Sequence, residues 1–220
     1  MECRLKKLKR LSQKQLLNYK YKAVVMDWHG VLDRGHFSAV VKEAYLEYKR
    51  DKRWLSFLRF VRHAYKYDNL FKKYNRGLIE PEMFWGNVYK DLGVRAGLIF
   101  ENLVKSYVPL EEGWDLLRDV KSREVPLYIL SDCPIDKRDL IMDLGVVDVF
   151  EKMFFSCDYG LMKNENAFFE IFTKEVGLKN GEFLFLDDNP VNVRKARQNG
   201  WQAMVFNVKN LSKIRVELGL

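Results

Sequence analysis

"AVVMDWHGVL" occupies residues 23–32. Its first four residues are apolar and include the β-branched pair Val24 and Val25, the pattern of a strand with no solvent-facing side. The run ends on Asp27 and turns within a few residues at Gly30. A buried strand that delivers a carboxylate to a turn marks Asp27 as a candidate nucleophile. His29, two residues on, can exchange a proton near neutral pH, because unperturbed imidazole titrates at about 6.5.

From Val125 onward, short apolar runs alternate with amphipathic segments. "VPLYILS" (125–131), "KMFFSC" (152–157), "EFLFLDD" (182–188) and "WQAMVF" (201–206) read as strands. "IDKRDLIMDLG" (135–145), "ENAFFEIFTKEVG" (165–177) and "PVNVRKARQNG" (190–200) read as the helices between them. Such alternation implies an α/β protein, a parallel sheet with right-handed crossovers and helices on both faces. Ligands of these sheets sit beyond the carboxyl ends of the strands. Asp27, Ser131 and the pair Asp187–Asp188 all fall at predicted strand ends, so the fold gathers them at one edge.

Residues 37–107 break the alternation and read as helices alone: "SAVVKEAYLEYKR", "WLSFLRFVRHAYKY", "PEMFWGNVYKDLG" and "AGLIFENLVKSY". Pro81 suits the first turn of a helix and Gly93 its end. The expected organisation is a basic arm over 1–20, an α/β core over 21–36 and 108–220, and a helical cap over 37–107. The stretch from Lys49 to Lys73 interleaves basic and aromatic residues, as a nucleic-acid surface would. The spacing of Trp54, Phe57, Leu58 and Val61 favours instead a helix stripe turned to a core.

Composition narrows the class. With 48% hydrophobic and 31% charged residues in 220, the chain is an ordinary globular protein rather than a disordered one. The net charge of +8 is uneven: residues 1–22 hold eight Lys or Arg against Glu2 alone, and the rest is nearly neutral. Leu5, Leu8 and Leu11 recur at three-residue spacing within that arm. The pattern suits a short amphipathic helix with its leucines on the core; weak contact with RNA or an anionic membrane surface and a loosely ordered arm are the alternatives. No signal-peptide core or membrane span is visible, and Cys3, Cys133 and Cys157 lack metal-ligand or disulfide spacing, so a reducing cytoplasm is expected.

Four strand-end motifs stand in order: "DWHGV" at 27–31, "YILSD" ending on Ser131 and Asp132, Lys163 in "GLMKNE", and "FLDDNPVNVRKARQNGW" at 185–201. With the helical insertion after the first strand, this order resembles the haloacid dehalogenase-like hydrolases over residues 21 to about 208. The resemblance implies a Rossmann-like core with a cap. "RGLIEPEMFWGNVYKDLGV" and "FLDDNPVNV" are most similar to the branch that dephosphorylates sugar phosphates. It also implies a Mg²⁺-dependent phosphatase for a small phosphorylated metabolite, with an aspartyl-phosphate on Asp27. Magnesium would be held by Asp27, the His29 carbonyl and Asp188, with Asp187 on a metal-bound water. Ser131 would donate to a phosphate oxygen and Lys163 would balance the clustered charge.

Three positions depart from the family pattern. His29 stands where these phosphatases carry a second aspartate as general acid and base; a protonated imidazole among carboxylates can fill both roles. Asp132 stands where asparagine is common after the serine, and pairing with His29 would relieve its charge. Lys163 is followed by Asn164 rather than the common proline. The intact Asp187–Asp188 pair argues against metal-free dehalogenase chemistry. The alternative reading is a catalytically impaired member that binds phosphate or serves as a scaffold.

Overall fold

The computed structural model describes residues 20–34 and 69–220. Five parallel strands, β1 (Ala23–Met26), β2 (Leu127–Ser131), β3 (Lys152–Phe155), β4 (Phe183–Asp187) and β5 (Gln202–Val205), form one sheet in the order β3-β2-β1-β4-β5. The expected α/β architecture is therefore present. β1 lies at the centre, where the strand order reverses, which opens a crevice at its carboxyl end.

Side-chain alternation along β1 explains its wholly apolar sequence. Val24 and Met26 face one core and Ala23 and Val25 the other, and all four are fully buried. The first core takes Leu116, Leu117 and Val120 of α3 (Glu111–Ser122), Ile141 of α4 (Ile135–Asp143), and Ile214 and Leu218 of α8 (Leu211–Leu218). The second is aromatic, formed by Phe168, Phe169 and Phe172 of α6 (Asn166–Val176) against Phe183, Phe185 and Trp201. Trp201 meets Phe169 edge-on at 4.9 Å and Phe183 at 4.5 Å between ring centroids. Burying each such ring stabilises the fold by roughly 1.5–3 kcal/mol. α7 (Pro190–Gln198) closes that face with Val193 and Ala196.

The described part of the insertion is helical: residues 69–75, α1 (Pro81–Leu92) and α2 (Val94–Lys105). Pro81 opens α1 and Gly93 ends it at φ 83°, as the sequence implies. Tyr74, Phe84, Trp85 and Val88 make a separate small core, in which the Tyr74 and Phe84 rings stack at 4.0 Å. The insertion docks on the sheet domain through Asp136 at the start of α4, which accepts from the Tyr74 hydroxyl and from Trp85 Nε1. The segments 38–50 and 54–67, most of the basic aromatic stretch, and the arm over 1–19 lie outside the described residues. No described helix is long and apolar enough to cross a membrane.

Three details differ from the sequence expectation. "KMFFSC" stays extended only to Phe155, because Ser156 opens a short helix, α5 (Ser156–Tyr159), and its hydroxyl donates to the Asn75 carbonyl at 2.5 Å. α3 and α8 are helices that the strand–helix alternation does not predict. α3 nevertheless has the local signals, Glu111 and Glu112 in its first turn and an apolar stripe at Leu116, Leu117 and Val120.

The two crossings between core and insertion pair with each other. Arg34 N–H donates to the Val108 carbonyl at 2.9 Å, and Leu110 N–H to the Leu32 carbonyl at 3.0 Å. α3 then passes so close to this bridge that a Cβ on Gly113 would overlap the Val31 carbonyl oxygen. Gly113→Ala is expected to destabilise the fold by roughly 1–3 kcal/mol through overpacking. A urea unfolding midpoint equal to that of the unaltered protein would show that the contact relaxes freely.

Candidate active site

The parallel register sets the site. Met26 pairs with Ile129 on one side and Leu186 on the other, so the residues that follow β1, β2 and β4 emerge at one edge. Asp27 N–H donates to the Leu186 carbonyl at 2.8 Å, which holds the carboxylate at the mouth of the crevice. Asp27 is buried; its Oδ1 accepts from Trp28 N–H at 2.7 Å and its Oδ2 lies 2.5 Å from Lys163 Nζ.

Lys163 organises the negative charge. Its ammonium is buried and also meets Asp187 Oδ2 at 2.6 Å. Burial alone would lower its pKa, but Asp187, Asp27 and Asp132 together hold it well above the ordinary lysine value. Asp187 is pushed up to about 6, chiefly by burial and further by Asp27, against the pull of Lys163. Its oxygens also accept from Asn189 N–H at 2.8 Å and from Asn192 Nδ2 at 3.1 and 3.2 Å. Asn189 caps α7 as well, accepting from Val191 N–H at 2.9 Å.

Asp27, Asp187 and Asp188 each present a carboxylate oxygen, and these atoms lie within 4.8 Å of one another. Asp188 is the exposed member; lost hydration and the charge of Asp187 raise its pKa. A set of hard anionic oxygens with one open side fits Mg²⁺, which keeps several waters. Gly30 makes the approach possible. Its φ is 71°, and a Cβ there would overlap the Asp188 carboxyl.

Ser131, at the end of β2, is fully buried, and its Oγ has no hydrogen-bond partner among the described residues. Such a group is costly unless a ligand completes it. His29 is partly exposed and sits at the same turn. The carboxylate beside it is Asp33, with Oδ2 3.6 Å from His29 Nδ1. The expected pairing of His29 with Asp132 is thus replaced. Asp132 Oδ1 instead accepts Lys163 N–H at 2.9 Å, which fastens the loop that carries the lysine. Burial raises the Asp132 pKa, and Lys163 opposes that rise. The sequence reading assigned nothing to Asn192 or Asp33. Asn192 stands in the first turn of α7, two residues after Pro190, and donates its amide back to Asp187.

A profile of haloacid dehalogenase-like hydrolases matches residues 21–200. The chain belongs to this family. Among curated proteins it is 26% identical over 138 residues to a sesquiterpene phosphatase of Aspergillus oryzae, covering 59% of this chain and 68% of that one. It is 27% identical over 97 residues to an enolase-phosphatase of Aquifex aeolicus, covering 43% of each. The match therefore spans less than half the length of the second relative. Among solved structures, a haloacid dehalogenase family enzyme of Bacteroides thetaiotaomicron superposes with a TM-score of 0.69 at 21% identity, covering 85% of this chain and 94% of that one. That enzyme has also been solved with magnesium and inorganic phosphate. At this identity the likeness speaks for the fold, and the chemistry of this haloacid dehalogenase-like hydrolase rests on its own residues.

Proposed function

We propose that this protein is a magnesium-dependent phosphatase that hydrolyses a small phosphorylated metabolite through an aspartyl-phosphate on Asp27. The observation that carries this reading is the buried Asp27–Lys163–Asp187 cluster beside the unpartnered Ser131 hydroxyl. The names of both curated relatives, a sesquiterpene phosphatase and an enolase-phosphatase, support it.

The residues divide the work as follows. Asp27 attacks phosphorus in line, the bond to the leaving oxygen breaks with its electron pair, and His29 gives that oxygen a proton. Water then attacks the phosphorus of the aspartyl-phosphate, yielding its proton to the neutral imidazole, and Asp27 departs as a carboxylate. Ser131 donates to a phosphate oxygen, while Lys163 holds Asp27 and Asp187 in place and offsets the added charge. Asp27, Asp188 and the His29 carbonyl would hold the magnesium, and Asp187 a water bound to it. The ion, when bound, supplies positive charge against the transferring phosphoryl group.

A panel of phosphate esters, assayed with magnesium and with excess chelator, tests the reading. Turnover should need the ion, and Asp188→Ala should raise the magnesium concentration for half-maximal activity on the order of 10-fold or more, since a hard cation loses an anionic ligand. Undiminished activity in chelator would exclude the metal-dependent route. Magnesium binding without turnover of any ester would favour a phosphate-binding module instead.

The basic arm is read as separate from the chemistry. Removing residues 1–18 should leave kcat and KM for a small ester within about twofold, since none of the four motifs lies there. Loss of binding to anionic vesicles or RNA on the same truncation would identify the arm as an adaptor; no binding by either form would return it to a purely structural part.

A further inference from the structure

Asp33 is fully buried at the first crossing into the insertion, yet its carboxylate reaches three separate parts of the protein. Oδ2 accepts from Lys137 Nζ of α4 at 2.8 Å, and Oδ1 from Val108 N–H of the second crossing at 3.1 Å. Lys137 is itself buried and donates to the Ser106 carbonyl. The third neighbour is His29 Nδ1, 3.6 Å from Oδ2. A buried ion pair seldom adds net stability over an apolar pair of similar volume. This one stands four residues from the proposed proton donor, with its carboxylate turned to one ring nitrogen.

We propose that Asp33 is a positioning residue for His29: it engages Nδ1, fixes the ring, and leaves Nε2 to serve the leaving oxygen. The proposal rests on the reading of His29 as general acid. The two nitrogens of imidazole are not equivalent, and the group that binds one determines which proton the other can offer. At 3.6 Å the contact is longer than a hydrogen bond, as is common before substrate binds, and closes in the Michaelis complex. Asp33 cannot drift to meet the ring, because Lys137 and Val108 N–H hold its two oxygens. Lys137 Nζ at 2.8 Å and Val108 N–H at 3.1 Å both donate to it, so the carboxylate meets the ring as a hydrogen-bond acceptor.

In the first chemical step the electron pair of the breaking P–O bond stays on the leaving oxygen, and the Nε2 proton neutralises it. A poor leaving group such as a sugar hydroxyl needs that proton; a nitrophenolate departs well without it. Single-turnover kinetics of the first phosphoryl transfer, with a sugar phosphate and with p-nitrophenyl phosphate, therefore report on His29 alone. His29→Ala should slow the sugar ester by roughly 100-fold or more, the usual scale of acid catalysis, and the nitrophenyl ester far less. Asp33→Asn alone strands the Lys137 ammonium, so the informative variant is Asp33→Asn with Lys137→Gln, an amide pair in place of the ion pair. It should slow the sugar ester by roughly 10-fold and leave the nitrophenyl ester within about twofold. Added to His29→Ala, it should not change the ratio of the two rates further.

Equal losses on both esters, or no loss on either, would reduce Asp33 to a brace of the crossings and overturn the proposal while leaving the His29 reading intact. A ratio unmoved by His29→Ala would remove the general acid itself and the proposal with it. Nitrogen NMR of the ring in the unaltered protein gives an independent check that needs no variant to fold. With the imidazole neutral, the proton should reside on Nδ1, facing Asp33; a neutral ring protonated on Nε2 would contradict the proposal.

Discussion

Asp27→Asn is expected to reduce turnover of every phosphate ester on the order of 10⁴-fold or more while the protein remains folded. The amide matches the carboxylate in shape and can still accept from Trp28 N–H, but its oxygen is too weak a nucleophile to take up the phosphoryl group. Lys163 keeps Asp187 as a partner at 2.6 Å, so the buried ammonium is not stranded. Retained activity in the purified variant would mean that the nucleophile lies elsewhere. A protein that failed to fold would instead show that the Asp27–Lys163 contact is needed to assemble the edge of the sheet, and the circular dichroism spectrum separates the two results.

The second large effect is expected at Gly30→Ala. At φ 71° an alanine already incurs a left-handed backbone cost of roughly 1–2 kcal/mol. Its Cβ would also overlap the Asp188 carboxyl, and either that side chain or the turn must move. Displacing a ligand or reacting group by about 1 Å commonly costs on the order of 100-fold in rate. Turnover should therefore fall by at least that much, and the magnesium concentration for half-maximal activity should rise, as for Asp188→Ala. Trp28, Val31 and Leu32 of the same turn belong to the core, so stability should fall as well, and the urea unfolding midpoint separates that loss from the loss of turnover. Wild-type kcat with unchanged magnesium dependence would show that the turn accommodates a methyl group and that the close approach to Asp188 is not needed.

What the sequence revealed follows from how parallel sheets are built. Strands buried on both faces have no polar alternation, so "AVVM", "LYILS" and "FLFLD" stand out, and the polar residue ending each run must emerge at one edge. Asp27, Ser131 and Asp187 were visible for that reason. Lys163 was visible only through the order of the motifs, since an isolated lysine in a loop carries no local signal. The environment of His29 was not legible. Asp33 acquires its meaning from Val108, 75 positions away, and from Lys137, 104 positions away. In "IDKRDL", Lys137 looks like any solvated lysine on an exposed face. Its burial follows from the docking of α4 against both crossings, which no local pattern encodes. Asp132 is likewise engaged across loops: its Oδ1 accepts the backbone N–H of Lys163, while the carboxylate beside His29 is Asp33. The stripe of α3 is legible in the sequence, but it lies before Val125, where the strand–helix alternation begins.

The most direct test is to catch the covalent intermediate. The protein, magnesium and a phosphate ester carrying radiolabelled phosphorus are mixed, quenched in acid during the first turnover, and digested for peptide mapping. Label should be found on the peptide containing Asp27, stable in acid and released by hydroxylamine, as an acyl phosphate requires, and it should be absent from Asp27→Asn. Rapid turnover with no label on the protein at any quench time, or label confined to another residue, would contradict phosphoryl transfer through Asp27.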